Sequence, residues 1–189
     1  MKRIVITLSI SAALLGSMSG CTQDATAKPA ARQVAQQVAR GEYIVRTSGC
    51  NDCHTPLKMG AKGPEPDWSR MLSGHPASLV MPPAPKSNGP WLWTGAATNT
   101  AFAGPWGVSY ARNLTPDQVS GLGIWSEEMF VKTMRTGRHM GVSRPILPPM
   151  PWQNLNAMTD DDLKAVFAYL RSIKPIRNEV PDAVVAGQS

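Results

Sequence analysis

Cys50-Asn51-Asp52-Cys53-His54 is a C-x-x-C-H pattern, and its reading decides what the rest of the chain has to build. Two thiols three residues apart share one face of a helical turn, so both can reach the two vinyl groups along one haem edge. The imidazole of His54 follows directly and can swing beneath the ring to face the iron. The chain has only 3 Cys and 3 His among 189 residues, so such a run arises by chance on the order of once in a thousand sequences. Two other uses of a Cys pair compete. A thioredoxin-like dithiol opens a helix after a strand of a βαβ unit, and no such pattern flanks this one. Half a zinc site needs a second half, but there is no second Cys pair and only His75 and His139 remain. The motif therefore predicts one covalent haem c per chain, on Cys50 and Cys53, with His54 as an axial iron ligand.

Working outward, the flanks read as helical scaffold. Ala31 to Thr47 places Val34, Val38, Gly41 and Val45 at spacings of four, three and four on one face. Toward the carboxyl end, Thr159 precedes Asp160-Asp161-Asp162, a cap followed by acids that suit a helix N-terminus. Leu163, Val166, Phe167 and Leu170 follow at i, i+3, i+4 and i+7, and the helix should end near Ile173, before Pro175. A third helix runs from its cap Ser126 to Thr136, with Glu127 and Glu128 in the first turn and Gly137 as the stop. The apolar stripes are read as core. Gly41 lacks a side chain where the first helix should cross the last, with Phe167 or Tyr169 opposite.

Composition sets the frame for these helices. A hydrophobic share of 42% and a charged share of 17% allow one domain with a buried core. Pro 17 and Gly 16 disfavour a long regular bundle or a doubly wound sheet. Between Pro56 and Arg112 lie 9 of those Pro, 7 of the Gly and four Trp (Trp68, Trp91, Trp93 and Trp106). So long a connection is either disordered or functional. Its Trp content predicts an ordered cover over the haem edge, with satellite core as the alternative use of those rings. The net charge of +6 falls to +4 without Lys2 and Arg3, which is no nucleic-acid footprint.

Lys2 and Arg3 precede an apolar run of twelve residues, Ile4 to Leu15, too short to span a membrane and suited to a secretory signal. Met18-Ser19-Gly20-Cys21 resembles a bacterial lipoprotein signal in which the Cys becomes lipidated, and Ala25-Thr26-Ala27 is a competing A-x-A site. The expected organisation is a lipoprotein signal over 1–20, a flexible tether over 21–32 with lipidated Cys21 first, a haem domain over 33–178, and a frayed tail over 179–189.

From Gly41 to Lys174 the chain resembles the c-type cytochromes, and in particular the single-haem units of the cytochrome subunits of membrane-bound alcohol and gluconate dehydrogenases. The marks are Gly41-Glu42-Tyr43, Cys50 to Pro56, Asn113-Leu114-Thr115-Pro116-Asp117, Thr136-Gly137-Arg138, Met150-Pro151 and Tyr169-Leu170-Arg171-Ser172. Those subunits carry several haem domains, whereas this chain has one attachment motif. The resemblance implies a mostly α cytochrome c fold, three to five short helices around one haem, with a long Pro/Gly/Trp-rich loop region. It also implies that Gly63-Pro64 offers a carbonyl to the His54 imidazole.

The sixth iron ligand is read as Met150. It sits in Leu147-Pro148-Pro149-Met150-Pro151-Trp152, where the prolines restrain the backbone, and between the third helix and the last, where the resemblance also places the ligand. Met140 and Met158 are the nearest rivals, and Met129 and Met134 fall on a helix where packing accounts for them. His139 or His75 would give a bis-His iron, although their Gly and Pro neighbours read as loops. Arg112 and Asn113 are candidates to bond a haem propionate, or a solvated loop pair. A His/Met haem without an acid/base pair or second redox centre implies a carrier and not an enzyme. The expected role is electron transfer in the bacterial periplasm, between a dehydrogenase or quinol oxidoreductase and an oxidase, at a membrane reached through the lipid anchor. The rivals are an open-site haem protein with peroxidase-like or gas-sensing activity, and a subunit docked permanently on a dehydrogenase.

Overall fold

The computed structural model describes residues 29–85 and 89–187. The expected signal and Cys21 lie outside them. Five α-helices carry the core: α1 (Pro29–Thr47), α2 (Cys50–His54), α3 (Glu127–Thr136), α4 (Trp152–Asn156) and α5 (Asp160–Ser172). Among the described residues, no helix is long and apolar enough to cross a membrane.

The helix ends follow their local chemistry. Ser126 Oγ accepts from the Met129 amide at 3.2 Å, and Thr159 Oγ1 accepts from the Asp162 amide at 3.1 Å, each filling an otherwise orphaned donor of a first turn. α3 stops at Gly137, as expected. α1 starts at Pro29, so the last four residues of the expected tether form its first turn. Proline fits there because its missing N–H would have no partner.

α1 crosses α5 at Gly41. A methyl group built on Gly41 would overlap the Ala165 carbonyl oxygen and lie 2.8 Å from Tyr169 Cβ. The anticipated Tyr169 is thus one contact, and the Ala165 backbone is the nearer one. Arg40 Nε donates to Asp162 at 2.9 Å across the same crossing. Ile44, Val45, Leu72, Leu122, Phe130, Leu163, Val166, Phe167 and Leu170 make the core. Val34, expected on the buried face, is exposed, and Ile44 joins Val45 in the core.

The Pro/Gly/Trp-rich stretch is not all coil, which adds strands to the mostly α expectation. It holds two small antiparallel sheets. The first pairs β1 (Leu57–Gly60) with β2 (Gly63–Pro66). The second has the order β3-β4-β5-β6, from Thr94–Gly95, Ala101–Gly104, Gly107–Tyr110 and Val184–Val185. Its fourth strand comes from the segment expected to fray. Backbone pairing with β5 and burial of Val180 hold that segment down instead.

Candidate haem-binding site

α2 is a single helical turn, so neighbouring segments hold it. The His54 carbonyl accepts from the Gly74 amide at 2.8 Å, and Asn99 Nδ2 donates to the Asp52 carbonyl at 2.7 Å. The fully buried Thr55 donates to Asn51 and accepts from the Leu72 amide. The turn is fixed on both sides.

Cys50, Cys53 and His54 line a cavity of about 760 Å³, inside the range of about 300–1,000 Å³ that encloses sizeable organic ligands. Phe130 and Met134 of α3 and Leu163, Val166 and Leu170 of α5 supply apolar wall. The α5 stripe read as core therefore faces the cavity as well. No three His, Cys, Asp or Glu side chains gather into a metal cluster among the described residues.

The donor set suits haem c. Neither Cys50 nor Cys53 is in a disulfide. Burial pushes the Cys50 thiol up to about 11 and raises that of Cys53, so both are neutral thiols. His54 is buried, and its Nδ1 donates to the Arg112 carbonyl at 2.8 Å. Burial lowers its pKa, more than the carbonyl bond raises it. The ring is therefore neutral at pH 7, with Nδ1 protonated and the Nε2 lone pair without a hydrogen bond among the described residues. A neutral imidazole oriented through its other nitrogen is how proteins present this ligand to a metal.

This geometry corrects Pro64. Gly63-Pro64 lies in the β1–β2 hairpin, with Pro64 opposite Met59 and exposed, and the acceptor for His54 is Arg112 instead. Asn113 is also reassigned. It is buried, its Nδ2 donates to Ser120 Oγ and the Ile176 carbonyl, and its Oδ1 accepts from the Thr115 amide and hydroxyl. Every donor and acceptor of that side chain is engaged, so none remains for a propionate. Arg112 does line the cavity. Its Nη1 donates to the carbonyls of Val180 and Pro181 and lies 3.5 Å from the Asp182 carboxylate, and its Nε and Nη2 make no hydrogen bond among the described residues.

Met150 lines the same cavity. Its loop is tied by Ser109 Oγ, which donates to the Pro148 carbonyl at 2.6 Å. Met134, Met140 and Met158 line the cavity too, whereas Met129 is exposed and not core. His75 lies elsewhere, fully buried: its Nε2 donates to the Leu79 carbonyl and its Nδ1 accepts from Thr100 Oγ1, so neither nitrogen is free. His139 reaches the cavity wall and packs edge-on against Trp125 at 5.2 Å.

The four Trp of the loop do not line the cavity, which corrects the expected cover. Trp68 and Trp91 are exposed, Trp93 stands edge-on to Phe102 at 5.7 Å, and Trp106 donates to Ser109 Oγ. Phe102 and Ser109 to Asn113 form that side of the cavity. Sequence reasoning missed the Arg112 carbonyl and the wall built from residues 179–183. Neither has a side-chain signature.

Residues 38–174 match the family described as Cytochrome c. The chain is 29% identical over 149 residues to the cytochrome c subunit of alcohol dehydrogenase (quinone) from Gluconobacter oxydans, covering 77% of this chain and 24% of that protein. It is 28% identical over 147 residues to the gluconate 2-dehydrogenase cytochrome c subunit of Pantoea cypripedii, covering 77% of this chain and 25% of that one. It is 26% identical over 140 residues to the fructose dehydrogenase cytochrome subunit of Gluconobacter japonicus, which is 74% of this chain and 22% of that protein. The chain thus spans about a quarter of the length of these relatives.

Proposed function

The chain belongs to the cytochrome c family, and from that premise we propose that it relays single electrons in the bacterial periplasm, with a dehydrogenase as its redox partner. A cytochrome c domain carries covalently bound haem c, and this sequence has one C-x-x-C-H to hold it. Bound there, haem c supplies a one-electron couple, whose potential a thioether ligand raises.

The protein's part is attachment, ligation and dryness. Cys50 and Cys53 would hold the haem, His54 would offer Nε2 to the iron, and Met150 would supply its thioether as the second protein ligand. The observation that carries this reading is His54, buried with its Nδ1 on the Arg112 carbonyl and its other nitrogen unengaged. Arg112 keeps Nε and Nη2 for a haem carboxylate. The dehydrogenase partner is inferred from the names of the relatives.

Cys21, outside the described residues, is the proposed lipid anchor. Because α1 starts at Pro29, the segment from Cys21 reaches about 30 Å even at full extension. An anchored chain would work next to the membrane.

The test is ligand access. Reduced wild-type protein should show a low-spin spectrum unaffected by carbon monoxide, and Met150→Ala should bind carbon monoxide and have a lower midpoint potential. Carbon monoxide binding by the wild type would support an open-site haem protein instead. If Met140→Ala opened the iron and Met150→Ala did not, the ligand would be Met140.

A further inference from the structure

The carboxyl-terminal segment is tied to the domain at three separate places. Asn178 is buried at its start: Nδ2 donates to the carbonyls of Ser73 and His75 at 2.7 and 2.8 Å, and Oδ1 accepts from the Ala77 amide at 2.9 Å. In the middle, Arg112 Nη1 donates to the Val180 and Pro181 carbonyls at 3.2 and 2.9 Å and lies 3.5 Å from the Asp182 carboxylate. At its end, β6 pairs with β5, and the Ala186 amide donates to the Trp106 carbonyl at 3.0 Å. Gly107 permits that last approach. It has φ +104°, and a side chain there would overlap the Val184 carbonyl oxygen.

Between these ties, Glu179, Val180, Asp182 and Ala183 form part of the cavity wall. Arg112 therefore does two things at once. Its side chain holds this segment, and its own carbonyl fixes the His54 ring.

We propose that residues 178–187 are a strap closing one side of the haem cavity, and that Arg112 is the positioning residue that couples strap docking to the orientation of the His54 imidazole. Opening the strap admits water to the haem edge and frees Arg112 to shift, which loosens the hydrogen bond that keeps His54 basic and aligned. Both changes move the potential, because water exposure and hydrogen bonding around the axial ligand tune it. A partner that lifts the strap would change the driving force for electron transfer without touching the iron. This inference rests on the His54 ligation proposed above.

The experiment compares four holoproteins: wild type, a chain ending at Asn178, Arg112→Ala, and the two changes combined. Each is read by haemochrome spectrum, midpoint potential and the rate at which imidazole binds the ferric protein. All four should keep a normal two-thioether haemochrome; a wild type without one would sink the haem reading itself, separately from the strap. Either single change should speed imidazole binding on the order of tenfold, the factor that about 1.4 kcal/mol represents and that one charge-assisted hydrogen bond can supply, and should shift the potential. The combined variant should show less than the two shifts added, because both act through one strap. An unchanged potential and imidazole rate in the truncated chain, or fully additive shifts, would overturn the proposal. Should the truncated chain fail to fold, hydrogen exchange of the wild type decides: the Ala186 amide should be protected, and exchange at the rate of an unstructured amide overturns the strap.

Discussion

Replacing Gly41 by Ala sets two effects against each other, and the structure decides the winner. In an exposed helix interior the change should stabilise by about 1 kcal/mol, because Ala is the better helix former. At Gly41 the new methyl would overlap the Ala165 carbonyl oxygen and sit 2.8 Å from Tyr169 Cβ. Overpacking of a tight contact costs about 1–3 kcal/mol. The upper part of that range applies, since the obstructing oxygen is α5 backbone and cannot turn aside. The net loss is about 1–2 kcal/mol, and at 2–4 °C per kcal/mol for a domain of this size Tm should fall by about 2–8 °C. Gly41→Leu should fall further. Heat denaturation of the holoprotein, followed by far-ultraviolet circular dichroism, makes the measurement. Ala35→Gly, exposed on the same helix, is the control and should lose about 1 kcal/mol from propensity alone. If Gly41→Ala raised Tm while Ala35→Gly lowered it, propensity would govern both sites and the close crossing would be refuted.

Three further outcomes are expected. Cys50→Ala and Cys53→Ala should each leave at most one thioether, visible as a shifted pyridine haemochrome band and in peptide mass; unchanged values in both would exclude the attachment site. Asn113→Ala should lower stability by about 1–3 kcal/mol, since it strands the buried Thr115 amide while the Ile176 carbonyl keeps the Thr115 hydroxyl, and an unchanged urea midpoint would show that bond carries little. Cys21→Ser should move a matured haem protein from the membrane fraction to the soluble periplasm, whereas wild-type protein already soluble with its N-terminus at Lys28 would favour the A-x-A cleavage site.

The helical half of the fold was legible because its signals are local. Ser126, Thr159 and Gly137 act within one turn, and the α5 stripe repeats at the helical period, so the positions of α3 and α5 and the buried face of α5 could be read directly. Val34 obeys the same period and is still exposed. Periodicity defines a face, while tertiary contacts decide how much of that face is covered. The loop between Pro56 and Arg112 fails differently. Its Pro and Gly read as interruptions, yet Gly60 and Gly63 close one hairpin and Gly104 and Gly107 another. Short strands of four residues leave too little alternation to detect.

The site divides along the same line. Cys50, Cys53 and His54 could be singled out because the proposed covalent attachment demands particular side chains at a fixed spacing. The acceptor that orients His54 was not, because every residue offers a carbonyl and only the tertiary path decides which one arrives. Arg112 lies 58 residues from His54 in the chain, beyond any local pattern, while the nearer Gly-Pro is used in a hairpin. Arg112 itself reads as a surface cation with a carboxylate to find. Its half-buried guanidinium also holds two backbone carbonyls of a segment that composition marks as frayed. The errors at Pro64 and at 179–187 thus share one physical origin. A main-chain acceptor is invisible in sequence until something buried needs it, and here the buried Nδ1 of His54 and the buried part of Arg112 both do.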